Sequence, residues 1–401
     1  MSAPLEGIKV VELASFVAVP AAGTLLADLG ADVVKVEVPW GEVYRHATPR
    51  RNGYDSQFPL GAAYEMDNRG KRSLALDLAL RQAREALARV IAGADILLTN
   101  VLPARLDRYG LNPQRLLEER PELIIARLSG FSAQGEQANE PGFDHSAFWA
   151  LSGLMDVLRS PNSEPAFLRA GLGDHSAGLS LVSGILAALR VRDRTGRGQL
   201  VDVNLQHVGF YINGSDTAQS LVTDQAPPVH DRAAPRNPLW NHYRTSDDRW
   251  LLLVMIDSAS YWPAFVEAVG RPELLEDARF EDPVARYRNT EALVEILDQI
   301  FVMRTLAEWK QHFVDKRLIW APARTVLEAV ADPQSEQNGC FSTVNHPEHG
   351  KFKTVAPPLR LSDFEMPANL PAPQLSAHTE EVLREAGLDD ETIALLVAAA
   401  D

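Results

Sequence analysis

The sequence predicts an α/β fold, in which a large domain contains a Rossmann-like parallel sheet and a smaller α+β domain follows. Continuous apolar segments have the length of buried strands, at 7–14, 31–39, 95–101 and 122–130. Segments with helical spacing of apolar residues lie between them, at 20–30, 81–94 and 113–121. Strands that alternate with helices are typical of a parallel sheet covered by helices on both faces.

The first strand, helix and second strand follow one another closely. Pro20 stands at the predicted start of the helix 20–30 and Gly30 at its end, and both are residues that favour those positions. The connection into this helix contains no G-x-G-x-x-G, the fingerprint of dinucleotide binding at this place. The sequence therefore disfavours a NAD-dependent oxidoreductase on the same kind of sheet.

The second half of the large domain is predicted to be mainly helical. Helices are expected at 145–159, from near Ser176, and at 206–222, with a glycine-rich turn and a strand within 193–205. Residues 223–238 are rich in proline and charge, which is typical of a linker.

A smaller domain and a C-terminal segment follow the linker. One or two strands and several helices are predicted between 249 and 316. Two strands with a turn between them are expected within 341–361. Two short helices, separated by a capping glycine, Gly387, come last.

The composition argues against several classes of protein. The chain has 401 residues, of which 46% are hydrophobic and 23% charged, so it can form two or three domains with apolar cores. Its single cysteine, Cys340, can form neither an intramolecular disulfide nor a structural zinc site. A net charge of −15 disfavours nucleic acid or an anionic membrane as the main partner. The N-terminus lacks the pattern of a signal peptide, and no apolar run is long enough to span a membrane, so we expect a cytoplasmic protein.

A cluster of basic residues could hold an anionic ligand despite the negative net charge. Arg69, Lys71 and Arg72 surround Gly70 in "DNRGKRS", which we expect to be a loop. Because a run of charges more often forms a solvated turn, the residues alone favour that interpretation over a ligand site.

Asp174 stands between small residues and a long apolar helix, in "GLGDHSAG". One hypothesis is that its carboxylate caps the helix, which stabilises a helix by about 1 kcal/mol. The other is that it attacks an activated acyl group, while the glycines beside it let a substrate approach and leave amide groups free for an oxyanion. The residues alone favour the cap and leave the nucleophile open.

Six segments in a fixed order carry a resemblance to a known family. They are "PLEGIKVVELASFVAVPAAGTLLADLGADVVKVE", "NRGKRSLALDL", "ADILLTNVLPARLDRYGL", "GFDHSAFWALSGLM", "GDHSAGLSLVSGILAALRVRDRTGRGQLVDVNL" and "HTEEVLREAGL". Taken together, from residue 4 to about residue 390, they resemble the class III CoA-transferase family, also called CaiB/BaiF.

The resemblance implies a CoA-transferase whose nucleophile is Asp174. Its carboxylate would attack the thioester carbonyl of a donor acyl-CoA to give an aspartyl anhydride and a free thiolate, and CoA would then pass to an acceptor carboxylic acid. Coenzyme A thioesters would be substrates, with no prosthetic group and no metal. The resemblance places these residues at the coenzyme: Val17, Ala18, Lys71, Arg72, Asn100, Val101 and Arg108.

A domain arrangement and an assembly are also implied. Residues 1–222 would form the large CoA-binding domain, 223–330 the small domain with its linkers, and 331–401 a segment that returns to the large domain. Two chains would form a homodimer of interlocked rings. The other partners would be acyl-CoA and small carboxylic acids, with no nucleic acid and no membrane.

Two other functions are alternatives to CoA transfer. A 2-methylacyl-CoA racemase of the same family carries histidine in a G-H-D segment, where this chain has Phe143. Neither His145 nor His175 falls at that position, and a lone histidine is more often structural, so transfer is favoured over racemisation. The second alternative is a protein that binds CoA without turnover.

The resemblance also bears on the acid. Relatives that act on oxalate carry a glutamine where this chain has Val17, and a glycine-rich lid that 237–250 does not reproduce. We therefore expect a larger carboxylic acid, often aromatic or 2-hydroxy. Phe148 and Trp149 could line an acyl pocket, although their helical spacing favours packing in a core.

Overall fold

The computed structural model describes residues 2–132 and 134–399, which form two compact units. Unit 1 comprises Met1–Met155, Phe167–Pro227 and Glu336–Asp401, and unit 2 comprises Asp156–Ala166 and Pro228–Ser335. The domain boundaries at 222 and 330, and the interlocked dimer, stay predictions.

Unit 1 is built on a six-stranded parallel sheet, which confirms the predicted α/β class. The strands are β1 Lys9–Leu13, β2 Asp32–Glu37, β3 Arg72–Ala75, β4 Ile96–Thr99, β5 Ile124–Ser129 and β6 Leu200–Asn204. Their order across the sheet is β3-β2-β1-β4-β5-β6, so the direction of winding reverses between β1 and β4. In sheets of this kind, ligands bind at the carboxyl ends of the strands where the winding reverses.

Helices cover both faces of this sheet. The helices of this part of the chain are α1 Ala18–Asp28, α2 Ala62–Asn68, α3 Arg81–Ala92, α4 Pro103–Tyr109, α5 Pro113–Glu119, α6 Leu154–Val157, which crosses the boundary between the units in sequence, α7 Leu172–Thr195, α8 Leu205–Ile212 and α9 Gly214–Thr223. Because strand side chains alternate between faces, Ile96 and Leu98 pack in one core with α1 and α7, while Leu97 packs in the other with α3.

The apolar helix α7 begins at Leu172, four residues before the expected start near Ser176. By length and composition it is the one helix, among the residues described, that could cross a membrane. Its Leu181 and Ile185 are fully buried in the core that α1 and the sheet share, so α7 is a core helix of unit 1.

The C-terminal segment covers the edge of the sheet at β3. It contains the hairpin β10 Phe341–His346 and β11 Gly350–Val355, then α16 Thr379–Glu385 and α17 Asp390–Ala398, as the sequence predicted. The amide of Ala75 donates to Thr379 Oγ1 at 3.0 Å, and His378 N donates to the Ser73 carbonyl at 3.0 Å. These bonds satisfy backbone groups that a bare edge strand would leave unpaired.

Three local predictions were wrong. The expected helix 145–159 is a single π-helical turn, Asp144–Ala150, and the short α6, because a turn at Gly153, with φ of 84°, separates them. The expected helix 206–222 is split into α8 and α9. The basic cluster is not a loop throughout, since α2 ends just before it and β3 begins at Arg72.

Unit 2 has a small antiparallel sheet and an aromatic core of its own. The sheet order is β7-β8-β9, with β7 His242–Arg244, β8 Trp250–Leu253 and β9 Trp320–Pro322. Its helices are α10 Ser258–Ala268, α11 Pro283–Arg288, α12 Thr290–Phe301, α13 Leu306–His312 and α14 Val326–Val330; α15 Pro333–Gln337 crosses the boundary between the units in sequence. In the core, Trp309 Nε1 donates to the Phe301 carbonyl at 2.9 Å, which satisfies its buried polar atom.

Candidate active site

A cavity of about 280 Å³ lies in unit 1 where the winding of the sheet reverses. It is formed by the segments that follow β1, β4 and β5, by the segment before the π-helical turn, and by the starts of α7 and α8. The lining residues are Ser15, Phe16, Val17, Ala18, Asn100, Val101, Leu102, Arg105, Leu128, Ser129, Gly130, Pro141, Gly142, Phe143, Asp174 and Leu205. The cavity therefore brings the predicted nucleophile together with four of the predicted coenzyme contacts, Val17, Ala18, Asn100 and Val101.

Asp174 lies in the first turn of α7, and its carboxylate has no hydrogen-bond or ion-pair partner among the residues described. The N-cap of α7 is Gly171, with φ of 93°, and no side chain caps the helix. The cap hypothesis is wrong in this structure, because the helix begins before Asp174 and its carboxylate accepts no backbone amide.

The surroundings of Asp174 raise the pKa of its carboxyl group above the usual value for aspartate. Burial raises the pKa of Asp174 to about 7, and the charges of Asp144 and Asp67 raise it as well. His175 and His145 lower it and oppose part of this effect. A carboxylate with such a pKa is ionised in a large fraction of molecules near neutral pH, yet it is a stronger base than an exposed aspartate.

Asp144 fixes the turn that precedes Asp174. Its side chain is almost fully buried, and its Oδ2 accepts a hydrogen bond from Gly171 N at 2.7 Å. Its Oδ1 lies 3.1 Å from Nδ1 of His145, whose Nε2 lies 2.8 Å from the Leu168 carbonyl oxygen. Asp144 thereby ties the start of α7 to the π-helical turn.

His175 is held between two oxygens. Its Nδ1 lies 2.7 Å from the Gly171 carbonyl and its Nε2 lies 3.0 Å from Oδ1 of Asp67. Because both neighbours are acceptors, an imidazolium with two N–H donors satisfies both contacts. Burial alone would lower the pKa of His175, but the hydrogen bond and charge of Asp67 raise it above its usual value.

The loop after β1 is pinned by two side chains, of which Asn100 is partly buried and Glu42 is buried. Asn100 clamps Ser15, since its Nδ2 donates to the Ser15 carbonyl at 2.7 Å and its Oδ1 accepts from Ser15 N at 3.2 Å. Glu42 accepts a hydrogen bond from Phe16 N at 2.6 Å. Phe16 itself has φ of 68°, in the left-handed region that bulky residues rarely adopt.

The glycine next to Asp174 serves packing. A Cβ at Gly173 would lie 2.6 Å from Cγ of Phe148, so the start of α7 rests directly on that ring. Phe148 and Trp149 are both buried in the core of unit 1 and neither lines the cavity. The structure therefore supports packing in a core for these two residues, and not a place in an acyl pocket.

Two glycines among the lining residues, Gly130 and Gly142, bring two backbone segments into contact. A Cβ at Gly130 would lie 2.6 Å from Cα of Gly142, and a Cβ at Gly142 would lie 2.9 Å from Cα of Gly130. The two backbones therefore touch, which a side chain at either position would prevent.

The structure does not bring Lys71 or Arg72 to the cavity. Lys71 is buried, and its Nζ has four oxygens within 2.9 Å: Oε2 of Glu12, Oδ1 of Asn68, and the carbonyls of Pro20 and Asp67. This burial argues against a phosphate contact for Lys71. It also shows that the prediction of a solvated turn for the basic cluster was wrong.

Arg72 holds the framework together. Its guanidinium pairs with Asp32 on β2 at 2.5 Å and with Glu381 and Glu385 on α16 at 3.0 and 3.1 Å. Since these carboxylates surround it, Arg72 ties the C-terminal segment to the sheet.

Two arginines on α4 are exposed and make no ion pair within the part of the chain that the structure describes. Arg108 was expected at the coenzyme but does not line the cavity, whereas Arg105, one helical turn earlier, does. Arg105 was not predicted from the sequence. The available signal was its i, i+3 spacing from Arg108, which puts both side chains on neighbouring parts of one helix face.

Comparison with known proteins decides the family. Residues 5–379 match the model of a protein family described as CoA-transferase family III. It belongs to that family. Two relatives that support this assignment are a cinnamoyl-CoA:phenyllactate CoA-transferase of Clostridium sporogenes and an (R)-2-hydroxy-4-methylpentanoate CoA-transferase of Clostridioides difficile. The first is 32% identical, with 97% of this chain and 94% of the relative covered, and the second is 30% identical, with 97% of both covered.

A solved structure has the same fold. A CaiB/BaiF family protein from Brucella suis superposes with a TM-score of 0.84 at 29% identity, and the match covers 96% of this chain and all of that one. The chain is therefore a family III CoA-transferase, and enzymes of this kind use CoA thioesters as substrates. The relatives named above are transferases, so racemisation is not favoured.

Proposed function

We propose that this family III enzyme moves CoA from an acyl-CoA donor to a carboxylic acid through an anhydride formed on Asp174. The observation that carries the proposal is a partly buried carboxylate, with no partner among the described residues, that lines the cavity at the reversal point of the sheet. Its raised pKa suits a nucleophile, because basicity and nucleophilic strength rise together.

The proposed reaction needs neither water nor an oxidant. An oxygen of the Asp174 carboxylate attacks the thioester carbonyl, and the C–S bond breaks to give an acyl-aspartyl anhydride and CoA thiolate. The thiolate attacks the aspartyl carbonyl and releases the donor acid, which leaves an aspartyl-CoA thioester. The acceptor carboxylate attacks this thioester to form a second anhydride and thiolate. The thiolate then attacks the acceptor's acyl carbon, so that the new acyl-CoA and free Asp174 result.

The start of α1 is the proposed site for developing negative charge. α1 begins at Ala18, which lines the cavity, and the first amide groups of a helix have no partner within the helix. Such amides and the helix dipole favour an anion, so they would stabilise the oxyanion of each tetrahedral intermediate.

The coenzyme contacts are part of the same proposal. Val17, Ala18 and Val101 would contact the pantetheine arm, while Asn100 shapes the loop by clamping Ser15. Arg105 and Arg108 are exposed cations on one helix and would bind the phosphates of CoA by charge-assisted hydrogen bonds.

Assembly, location and acid class extend the proposal. We propose a cytoplasmic homodimer of interlocked chains, as the family resemblance implies. The named relatives act on 2-hydroxy acids with an apolar side chain or on cinnamoyl-CoA, which supports a larger acid than oxalate for this enzyme.

Trapping of the covalent intermediate tests the mechanism. The enzyme is incubated with an acyl-CoA and hydroxylamine, and peptides are analysed by mass spectrometry. We expect a hydroxamate on Asp174, and its absence from Asp174→Ala and Asp174→Asn together with loss of transfer. Exchange of the proton at the α-carbon in deuterated water without CoA exchange between acids would instead support a racemase.

A further inference from the structure

Phe16 has a strained backbone at the wall of the cavity. Its φ of 68° is unfavourable for a large side chain, and such conformations persist only where the surroundings enforce them. Strained residues cluster at functional sites, so the reason for this one lies in what its side chain and its neighbours do.

A buried chain of charges holds Phe16 in place. Glu42 is 6% exposed, and its Oε2 accepts from Phe16 N at 2.6 Å while its Oε1 lies 2.7 Å from Nζ of Lys35. Lys35 is fully buried and also pairs with Glu12 at 3.1 Å. Since the Asn100 clamp fixes the preceding residue as well, the loop has little freedom to relax.

The strained conformation places the ring of Phe16 against that of Phe143. The ring centroids lie 5.2 Å apart at an interplanar angle of 86°, an edge-to-face pair. Both rings belong to the cavity lining, and they are 41% and 56% exposed. The pair is thus an apolar surface in the same cavity as Asp174, and neither ring belongs to a core of unit 1.

The charges around the cavity disfavour a second carboxylate in the substrate. Within the lining residues that the structure describes, Asp174 is the one carboxylate and Arg105 the one cation, and the proposed function assigns Arg105 to the phosphates of CoA. Lys35 and Lys71 are both buried in ion pairs with Glu12, and either lysine would have to break its own pair to turn toward a ligand.

We propose that Phe16 and Phe143 bind the side chain of the acid, that the preferred substrates are monocarboxylic acids with a branched or aromatic apolar side chain, and that Glu42 positions Phe16 for this contact. The proposal rests on the proposed function, since it concerns the acyl group that Asp174 would carry. It assigns selectivity to an aromatic pair rather than to Phe148 and Trp149, which are buried in the core.

Isotope exchange between an acid and its own CoA thioester tests the proposal without knowledge of the natural pair. The full-length enzyme is mixed with an acyl-CoA and the deuterated free acid, and label in the acyl-CoA is followed by mass spectrometry. Four pairs are compared: 4-methylpentanoate, 3-phenylpropanoate, acetate and succinate. We expect the two apolar acids to exchange at least about tenfold faster, by kcat/KM, than acetate or succinate, because each gains the aromatic contact.

Variants of the pair provide the controls. Phe143→Ala should lower the preference for 4-methylpentanoate over acetate about tenfold, whereas Phe143→Leu keeps an apolar side chain and should retain it within about threefold. Phe16→Gly and Phe16→Ala should both lose the preference. Of these two variants, Phe16→Gly should unfold at a higher urea concentration than Phe16→Ala, because glycine tolerates positive φ. Glu42→Gln should raise KM for the apolar acids by a larger factor than it raises KM for acetate.

The outcomes separate this inference from the proposed function. An unchanged preference in Phe143→Ala and Phe16→Gly, or succinate exchange as fast as that of the apolar acids, overturns the inference while Asp174→Ala stays inactive. Exchange that survives in Asp174→Ala overturns the covalent mechanism instead, whatever the acid preference is.

Discussion

At the scale of single residues, Asp174 sets the expected pH dependence of transfer. Because burial raises the pKa of its carboxyl group to about 7, the ionised nucleophile predominates only above neutral pH. We expect kcat/KM for an acyl-CoA to rise about tenfold per pH unit in acid and to level off about one unit above the pKa. A profile that stays flat across this region would contradict the assignment.

The same group makes stability depend on pH. The folded chain holds the Asp174 proton more tightly than the unfolded chain, so the stabilising contribution is complete below about pH 4 and is lost as the pH rises through about 7. Asp174→Asn removes this loss. We expect the variant to be more stable than the native chain at alkaline pH, on the order of 1 kcal/mol, and to show no such gain in acid, measured by urea unfolding at one protein concentration.

His175 tunes the nucleophile by charge. Since its imidazolium lowers the pKa of Asp174, His175→Gln should move the midpoint of the rate profile to higher pH, by about half a unit. His145 acts in the same direction with a smaller effect, so His145→Gln is the matched control and should shift the midpoint less. Equal or opposite shifts in the two variants would rule out this account.

Lys71 distinguishes a structural cation from a ligand contact. Lys71→Met leaves the fully buried Glu12 with Lys35 alone, and loss of one partner from a buried ion pair costs about 3–5 kcal/mol. We expect a large fall in the unfolding free energy. Arg108→Ala, at an exposed and unpaired position, should leave stability within about 0.5 kcal/mol and raise KM for acyl-CoA. A stable Lys71→Met enzyme with weak coenzyme binding would restore Lys71 as a phosphate ligand.

At the scale of elements, the start of α7 depends on its contact with Phe148. Gly173→Ala would put a methyl group 2.6 Å from the ring, and overpacking of this kind costs about 1–3 kcal/mol. We expect lower stability and slower transfer, because the first turn carries Asp174. The double variant Gly173→Ala with Phe148→Leu should recover part of both, which a double-mutant cycle measures. Additive losses would mean that the ring contact is not the cause.

The edge of the sheet illustrates how elements share polar groups. The backbone groups on the outer side of β3 form hydrogen bonds with His378 and Thr379, residues that lie far away in sequence. Arg72 reinforces the contact by pairing with α16. The C-terminal segment is therefore an integral part of unit 1 that covers this edge of the sheet.

At the scale of the whole molecule, the proposed interlocked dimer couples folding to association. Linked chains cannot separate while folded, so the urea midpoint should rise with protein concentration and no folded monomer should be seen by light scattering on dilution. A folded monomer at low concentration would contradict the linked arrangement.

The sequence predicted the sheet better than the site. Alternating apolar and helical segments were enough for the parallel sheet, since periodicity reports which faces are buried. β3 and α2 were missed because the charged residues between them are buried by partners far away in the chain, such as Glu12 for Lys71 and Asp28 for Arg69. No local pattern reports such pairing.

Within the site, the glycine-rich setting drew attention to Asp174, but the family resemblance and not this setting favoured a nucleophile, and the glycine beside it serves packing. Arg105 was missed because one exposed arginine on a helix resembles another in sequence, and their difference arises from where α4 lies after β4. Phe16 was missed because a strained backbone is not visible in residue types.

The touching backbones of Gly130 and Gly142 have a practical consequence for redesign. A side chain at either position would push these two backbone segments apart, so a library that randomises the whole cavity would lose members to disruption at these two sites. A productive search for new acid preferences would keep both glycines constant and vary the exposed rings of the lining, Phe16 and Phe143.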